Sequence, residues 1–211
     1  MSQTRKRKVS TPTELLFKQC SRKEFDLRKL LNQGADINAH NKAGKTPLMI
    51  LAEKGNLHMM DLFLLNNADI RASTPKQETV LHFANEEAID FLLQHEHVPV
   101  KQVSSEGVSP IHHAVRINSP QSIQLLLQHD SHLHEFHASY ENEIQLAMKM
   151  AIAYKNPDLF KVMLPYLHKK AMFLAFKEAD ALSKTNRAYR YIATVILRQY
   201  NARFSPMHQL S

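Results

Sequence analysis

The feature that most constrains this chain is a unit of sequence that returns with a period of about 33 residues. Its fullest copy runs Asn41-Lys-Ala-Gly-Lys-Thr-Pro-Leu-Met-Ile-Leu-Ala-Glu-Lys-Gly55 and continues Met60-Asp-Leu-Phe-Leu-Leu-Asn-Asn-Ala-Asp69. Gly44 allows a positive φ in a turn. Thr46 is placed to cap a helix whose first position, Pro47, loses nothing by lacking an N–H. Leu48, Leu51 and Ala52 then fall at i, i+3 and i+4 and form one apolar stripe. Gly55 breaks the chain, and Met59, Met60, Phe63 and Leu64 supply the stripe of a second helix. The unit therefore predicts a turn, a helix, a return loop and a second helix.

Weaker copies flank it. Upstream, Leu30-Leu-Asn-Gln-Gly-Ala-Asp-Ile-Asn38 repeats the end of the unit, and Leu16, Cys20 and Leu27 supply its apolar positions. Downstream, Glu78-Thr-Val-Leu-His-Phe-Ala84 and Gly107-Val-Ser-Pro-Ile-His-His-Ala114 repeat its start. The third copy runs from Ala84 almost directly into Ile89-Asp-Phe-Leu-Leu93, so its first helix or its return loop must be short. Ser119-Pro120 begins the second helix of the fourth copy. A fifth keeps only the helix pattern, with Ile144, Met148, Ala151 and Ile152 before Asn156-Pro157. Beyond Pro165 the signature is lost. Ala171 to Leu182 is apolar around most of its circumference, which predicts a helix buried between neighbours. Asn186 to Gln199 carries Tyr189, Ile192, Ala193 and Ile196 along one stripe, continued by Tyr200.

With its Thr-Pro-Leu-His-like starts and Gly-Ala-Asp ends, the segment 11–168 resembles the ankyrin-repeat family. That resemblance implies an all-α solenoid of five to six units, at about 11–39, 41–73, 74–103, 104–134 and 138–168. A basic flexible tail at 1–10 precedes them, a divergent helical cap at 169–203 closes the stack, and a flexible end occupies 204–211. It further implies a noncatalytic protein-binding module, a monomer, whose partner lies on the projecting turns and the exposed ends of the first helices. Carried over residue by residue, that surface is Lys42, Ala43, Lys45, Glu53 and Lys54 in the second unit. The third supplies Pro75, Lys76 and Glu78, and the fourth Ser105, Glu106, Val108, Arg116 and Ile117. Asn38, set after Leu30 and Asp36, matches the pattern that asparaginyl hydroxylases recognise in such repeats. Stand-alone size and degenerate units also resemble the ankyrin proteins that intracellular bacteria deliver into host cells as effectors.

Charge sets the rival reading. Residues 1–13 hold Arg5, Lys6, Arg7 and Lys8 and no acid. Residues 14–160 carry 14 basic and 18 acidic side chains, and residues 161–211 nine basic against Glu178 and Asp180. An adaptor for nucleic acid or an acidic membrane would use these basic ends, with Arg187 and Arg190 at the C-terminal one. Arg5–Lys8 is also a candidate nuclear import signal. A single cysteine, Cys20, excludes an internal disulfide and suits a reducing, intracellular compartment. No apolar run is long enough to span a bilayer, and the basic N-terminus lacks the apolar stretch of a secretory signal.

Other chemistry is weakly supported. The segment His129-Asp-Ser-His-Leu-His-Glu-Phe-His137 has metal-ligating residue types, but no paired cysteines and no His-Glu-x-x-His helix accompany it. It reads better as a solvated turn, and no metal or cofactor is expected. His82 and His112 occupy the histidine position of the repeat start, which the resemblance makes structural. Glu86 and Glu87 read as a solvated return loop. Four glycines at 34, 44, 55 and 107 build no phosphate loop. No catalytic residue is assigned.

Overall fold

The structure is a computed structural model, and it describes residues 10–129, 147–167, 169–184 and 187–204. Among these residues there is no strand; every regular element is helical. The chain divides into two compact units, one ending at Glu106 and one beginning at Gly107.

The first unit contains α1 (Pro12–Gln19), α2 (Leu27–Asn32), α3 (Pro47–Lys54), α4 (Leu57–Leu65), a 3-10 turn (Val80–His82) and α5 (Glu86–Leu93). Local chemistry fixes each start. Thr11 and Glu14 form a capping box on α1, the Thr11 hydroxyl accepting from Glu14 N–H at 3.1 Å and the Glu14 carboxylate from Thr11 N–H at 3.2 Å. Thr46 Oγ1 accepts from Met49 N–H at the start of α3. Asn56 and Asn85 cap α4 and α5 through their side-chain oxygens. The core follows the apolar stripes: Leu16, Leu48, Leu51, Ala52, Met60, Phe63, Leu81, Ile89 and Leu92 are all sealed from solvent. Phe63 also meets Phe25 edge to face at 6.2 Å between ring centres.

The shortened third repeat resolves in one way. Its first helix shrinks to the single 3-10 turn Val80–His82, and Asn85 enters α5 at once while its N–H donates to the Ala52 carbonyl at 3.0 Å. Glu86 and Glu87 consequently do not sit in a return loop. They form the first turn of α5, exposed, where their charge complements the helix dipole.

The second unit holds α6 (Pro110–Arg116), α7 (Pro120–His129), α8 (residues 147–154), α9 (Pro157–Met163), a 3-10 turn (Leu164–Tyr166), α10 (Lys169–Ser183) and α11 (Arg187–Phe204). Ser119 Oγ caps α7 by accepting from Ser122 N–H at 3.0 Å. Asn156 caps α9 and donates from its side-chain nitrogen to Asn118 Oδ1 at 2.9 Å. Helix α10 departs from expectation. Only Ala171, Met172, Ala175 and Ala179 are buried, whereas Phe173 and Leu174 are 45% and 46% exposed. Its apolar circumference is thus covered on one side only. In α11 the expected stripe does bury Ile192, Ala193 and Ile196.

A second periodicity is visible only in the backbone. Left-handed φ values occur at Gly34, Asn67 and His97 after second helices, at Gly44, Gln77 and Gly107 in the turns, and at Gly55, Asn118 and Lys155 in return loops. Each set marks one equivalent position of the repeat. Glycine fills four of the nine, and Asn67, His97 and Asn118 are of types that enter this region more readily than most other residues.

Candidate partner-binding surface

The turns of the first unit are built alike. In the turn at residues 41–45, Asn41 N–H donates to the Lys45 carbonyl at 3.0 Å, and Asn41 Oδ1 accepts from Ala43 and Lys45 N–H. In the turn at 74–78, Thr74 N–H donates to the Glu78 carbonyl at 2.8 Å, and Thr74 Oγ1 accepts from Glu78 N–H. Asn and Thr do the same work because each offers a short side-chain oxygen to the backbone two to four residues on.

Neighbouring turns are also tied together. His40 Nε2 lies 3.3 Å from the Ser73 carbonyl, and Ser105 N–H donates to the Lys76 carbonyl at 2.8 Å. Gly44 packs so closely on the Pro75 ring that an added Cβ would collide with it. Asn38 is one of these ties: its Oδ1 accepts from Asp69 N–H at 2.8 Å and its Nδ2 donates to the Asn67 carbonyl at 3.2 Å. Both ends of that amide are engaged between successive repeats.

The expected surface residues of the first unit differ in what they do. Lys42, Ala43, Glu53, Lys54, Pro75, Lys76, Ser105 and Glu106 are exposed, and Glu78 is half-buried with its carboxylate accepting from Thr74 Oγ1. Lys45 is partly withdrawn. Its ammonium lies 2.8 Å from Glu53 Oε2 and 4.1 Å above the centre of the Phe83 ring, leaving the side chain 22% exposed. Lys76 and Glu106 form an exposed ion pair. Its hydrogen bond and charge raise Lys76 above the ordinary lysine range and lower Glu106 below the ordinary carboxylate range. Val108, Arg116 and Ile117 belong to the second unit, where Arg116 and Ile117 are exposed and Val108 is half-buried.

One flank of this surface escaped the sequence reading. A groove of about 610 Å³ opens beside the first turn, lined by Thr13, Phe17 and Lys18 of α1 together with His40, Asn41 and Lys42. The signal present in sequence was the i, i+4 pair Thr13 and Phe17, which share a helix face and are only half-buried.

The residues with reactive groups are otherwise occupied. His82 Nδ1 accepts from Thr79 N–H at 3.0 Å, and His112 Nδ1 accepts from Ser109 N–H at 3.0 Å. Each imidazole therefore carries its proton on Nε2 and serves as a capping acceptor for the start of its repeat. Cys20 is fully buried and burial pushes its thiol up to about 12, so it is not a thiolate at neutral pH. Of the histidine-rich segment only His129 falls within the described residues, as does none of Arg5–Lys8. Among the described residues no three His, Cys, Asp or Glu side chains gather to hold a metal, and no helix is long and apolar enough to cross a membrane. Arg187 and Arg190 are exposed on α11.

Comparison with known proteins agrees with this geometry. Residues 17–102 match the family described as ankyrin repeats in three copies. Inversin from dog is 28% identical over 112 residues, a stretch that covers 49% of this chain and 10% of inversin. Human inversin is 29% identical over the same length. An ankyrin repeat protein of Rickettsia bellii is 38% identical over 68 residues, covering 30% of this chain and 40% of that protein. The chain thus spans well under two-thirds of these relatives.

Proposed function

We propose that this chain, a member of the ankyrin-repeat family through residues 17–102, is a noncatalytic module that binds a protein partner on its projecting turns and the exposed ends of its first helices. The observation that carries the reading is the construction of the turns at 41–45 and 74–78. Their tips are exposed, yet each is closed by its own backbone bond and tied to the next turn. A partner that docks there orders few residues, so contact energy is not spent on fixing loops. The groove beside Lys18 and Lys42 extends the surface toward α1 and has one aromatic ring, Phe17, in its lining.

The test is selective capture. Wild-type chain immobilised on beads retains a lysate protein. A variant with Lys42, Lys54 and Lys76 replaced by alanine loses it, with an unchanged circular dichroism spectrum. Lys45 is left in place, because its ammonium holds Glu53 and Phe83 together. Equal retention by both proteins would remove the turn surface from consideration. Asn38 hydroxylation is an added proposal on the same surface, checked by mass spectrometry after exposure to an asparaginyl hydroxylase. A host-directed effector role is the narrower form of this reading. It is tested by a translocation reporter fused to the chain.

A further inference from the structure

Helices α10 and α11 leave uncovered a face that mixes aromatic, leucine and basic side chains. On α10 the exposed side chains are Lys169, Lys170, Phe173, Leu174, Lys177, Asp180 and Ala181, at spacings that repeat every three to four residues, and Lys184 follows just past the helix end. On α11, Arg190, Leu197 and Phe204 stand seven residues apart and so share one flank. Ring contacts join the two helices. Phe173 meets Tyr200 at 6.4 Å and Tyr200 meets Phe204 at 5.4 Å between centres. Cations frame this aromatic row, with Lys177 5.2 Å from the Phe173 ring and Lys169 and Arg203 6.0 Å and 5.1 Å from the Phe204 ring. Phe173, Leu174 and Leu197 are each more than two-fifths exposed. Leu174 also borders an apolar groove of about 310 Å³ that runs between Ile152 and Ala171.

We propose that this face docks on the surface of an anionic lipid bilayer. Charge complementarity selects the partner: from residue 161 onward nine basic side chains stand against Glu178 and Asp180, and on the exposed side of α10 Lys169, Lys170 and Lys177 outnumber the exposed Asp180. The uncharged groups select among anionic partners. A nucleic acid would need several aromatic rings free to stack on bases, whereas on this face Tyr200 and Phe204 are half-buried in tilted contact with neighbouring rings. The groups that protrude are Phe173 and two leucines, suited to entering the headgroup boundary beneath a ring of cations. The lysine stems reach the lipid phosphates while their methylenes stay on the apolar side. This contact uses the second unit only and is independent of the turn surface in the first.

The test is co-sedimentation of the full chain with vesicles. Equimolar phosphatidylcholine–phosphatidylserine vesicles are expected to retain the chain, and pure phosphatidylcholine vesicles to release it. Each basic group beside an anionic surface contributes about fivefold in partitioning, so K169E/K170E/K177E loses at least on the order of a hundredfold. F173S/L174S, changed only at exposed positions, is expected to weaken binding even at low salt, which a purely electrostatic contact would not do. The K42A/K54A variant is expected to bind vesicles like wild type, so that failure here and failure of the turn surface stay separate. Absence of binding to the anionic vesicles overturns the proposal. So does a wild-type chain that binds single-stranded DNA but not vesicles. A dimer that F173S/L174S converts to monomer, with no vesicle binding, would assign the face to a second copy instead.

Discussion

The second and third repeats solve the same folding problem with different amounts of chain. In the second, eight residues from Pro47 to Lys54 form α3; in the third, the equivalent stretch is the three-residue turn Val80–His82. What survives the shortening identifies what the repeat needs. Both keep a threonine at the start and a buried leucine two residues on, Leu48 and Leu81. Both also keep an acceptor three residues on for the threonine N–H. In the third repeat that acceptor is His82 Nδ1 at 3.0 Å, and in the second it is the Met49 sulfur at 3.4 Å. What is lost is the last turn of helix and the glycine that ends it. Phe83, immediately after the 3-10 turn, is the platform beneath Lys45 of the preceding repeat. Helix length is therefore dispensable here, whereas the turn, its cap and its first leucine are not.

The strongest way to break that comparison is to truncate the shared leucine. Leu48→Ala and Leu81→Ala each remove a fully buried side chain and should each destabilise by about 2–5 kcal/mol. Leu81 should stand at the lower end, because a 3-10 turn can close over a cavity more readily than a helix. Urea unfolding midpoints measure both. A Leu81→Ala midpoint equal to wild type would mean that the third repeat no longer shares the core of the second.

Gly55 sharpens the contrast from the other side, since its position has no counterpart in the third repeat. Its φ is +66°, and an added Cβ would strike the Asn85 side chain. Asn85 cannot simply swing away, because its Oδ1 caps α5 through Ala88 N–H at 2.9 Å. Gly55→Ala should cost about 2–3 kcal/mol, combining backbone strain with a damaged cap. A thermal melt that leaves Gly55→Ala within a degree of wild type would show that the two repeats are not locked together there.

Much of this architecture was legible in sequence because its causes are local. Thr46-Pro47, Ser119-Pro120 and Asn156-Pro157 announce helix starts through capping chemistry that spans three residues. The rest depended on distant partners. Nothing around Lys45 in the chain shows that Phe83, in the next repeat, will receive its ammonium. On α10 the exposed side was marked by Lys169, Lys170, Lys177 and Asp180, but Phe173 and Leu174 among them made the helix read as apolar all round. The left-handed positions were legible unevenly: Asn67 stands where the pattern has glycine and belongs to a residue type that enters this region readily, whereas Gln77 gives no such signal. The candidate surface was legible to the same extent. Its exposed tips could be placed from the pattern, but not the groove at Phe17 or the withdrawal of Lys45.

A smaller effect separates the two acceptors. His82→Met gives the third repeat the residue used by the second. The thioether accepts more weakly than an imidazole nitrogen, so Thr79 N–H would be held less well. A loss of about 1 kcal/mol is expected, read as a lowered urea midpoint at pH 7. No change would make the histidine and the methionine interchangeable, and the repeat start would then rest on packing alone.

The smallest effect has the opposite sign. Gln77 occupies the left-handed turn position that glycine fills at 44, and it does so at φ +61°. A residue with a Cβ is disfavoured in that region by about 1–2 kcal/mol, while glycine enters it freely but leaves a more flexible unfolded chain. The two terms nearly balance, and the net gain expected for Gln77→Gly is about 0.5–1 kcal/mol. Gln77 N–H donates to the Thr74 carbonyl at 2.8 Å, a backbone bond that glycine retains, and the side chain is exposed. The turn should therefore keep its shape as well as its neighbours. A rise in the thermal midpoint of a few degrees supports the reading that both turns share one backbone requirement. A fall would mean that the glutamine side chain itself secures the third repeat's turn, and that the two turns are alike in outline but not in cause.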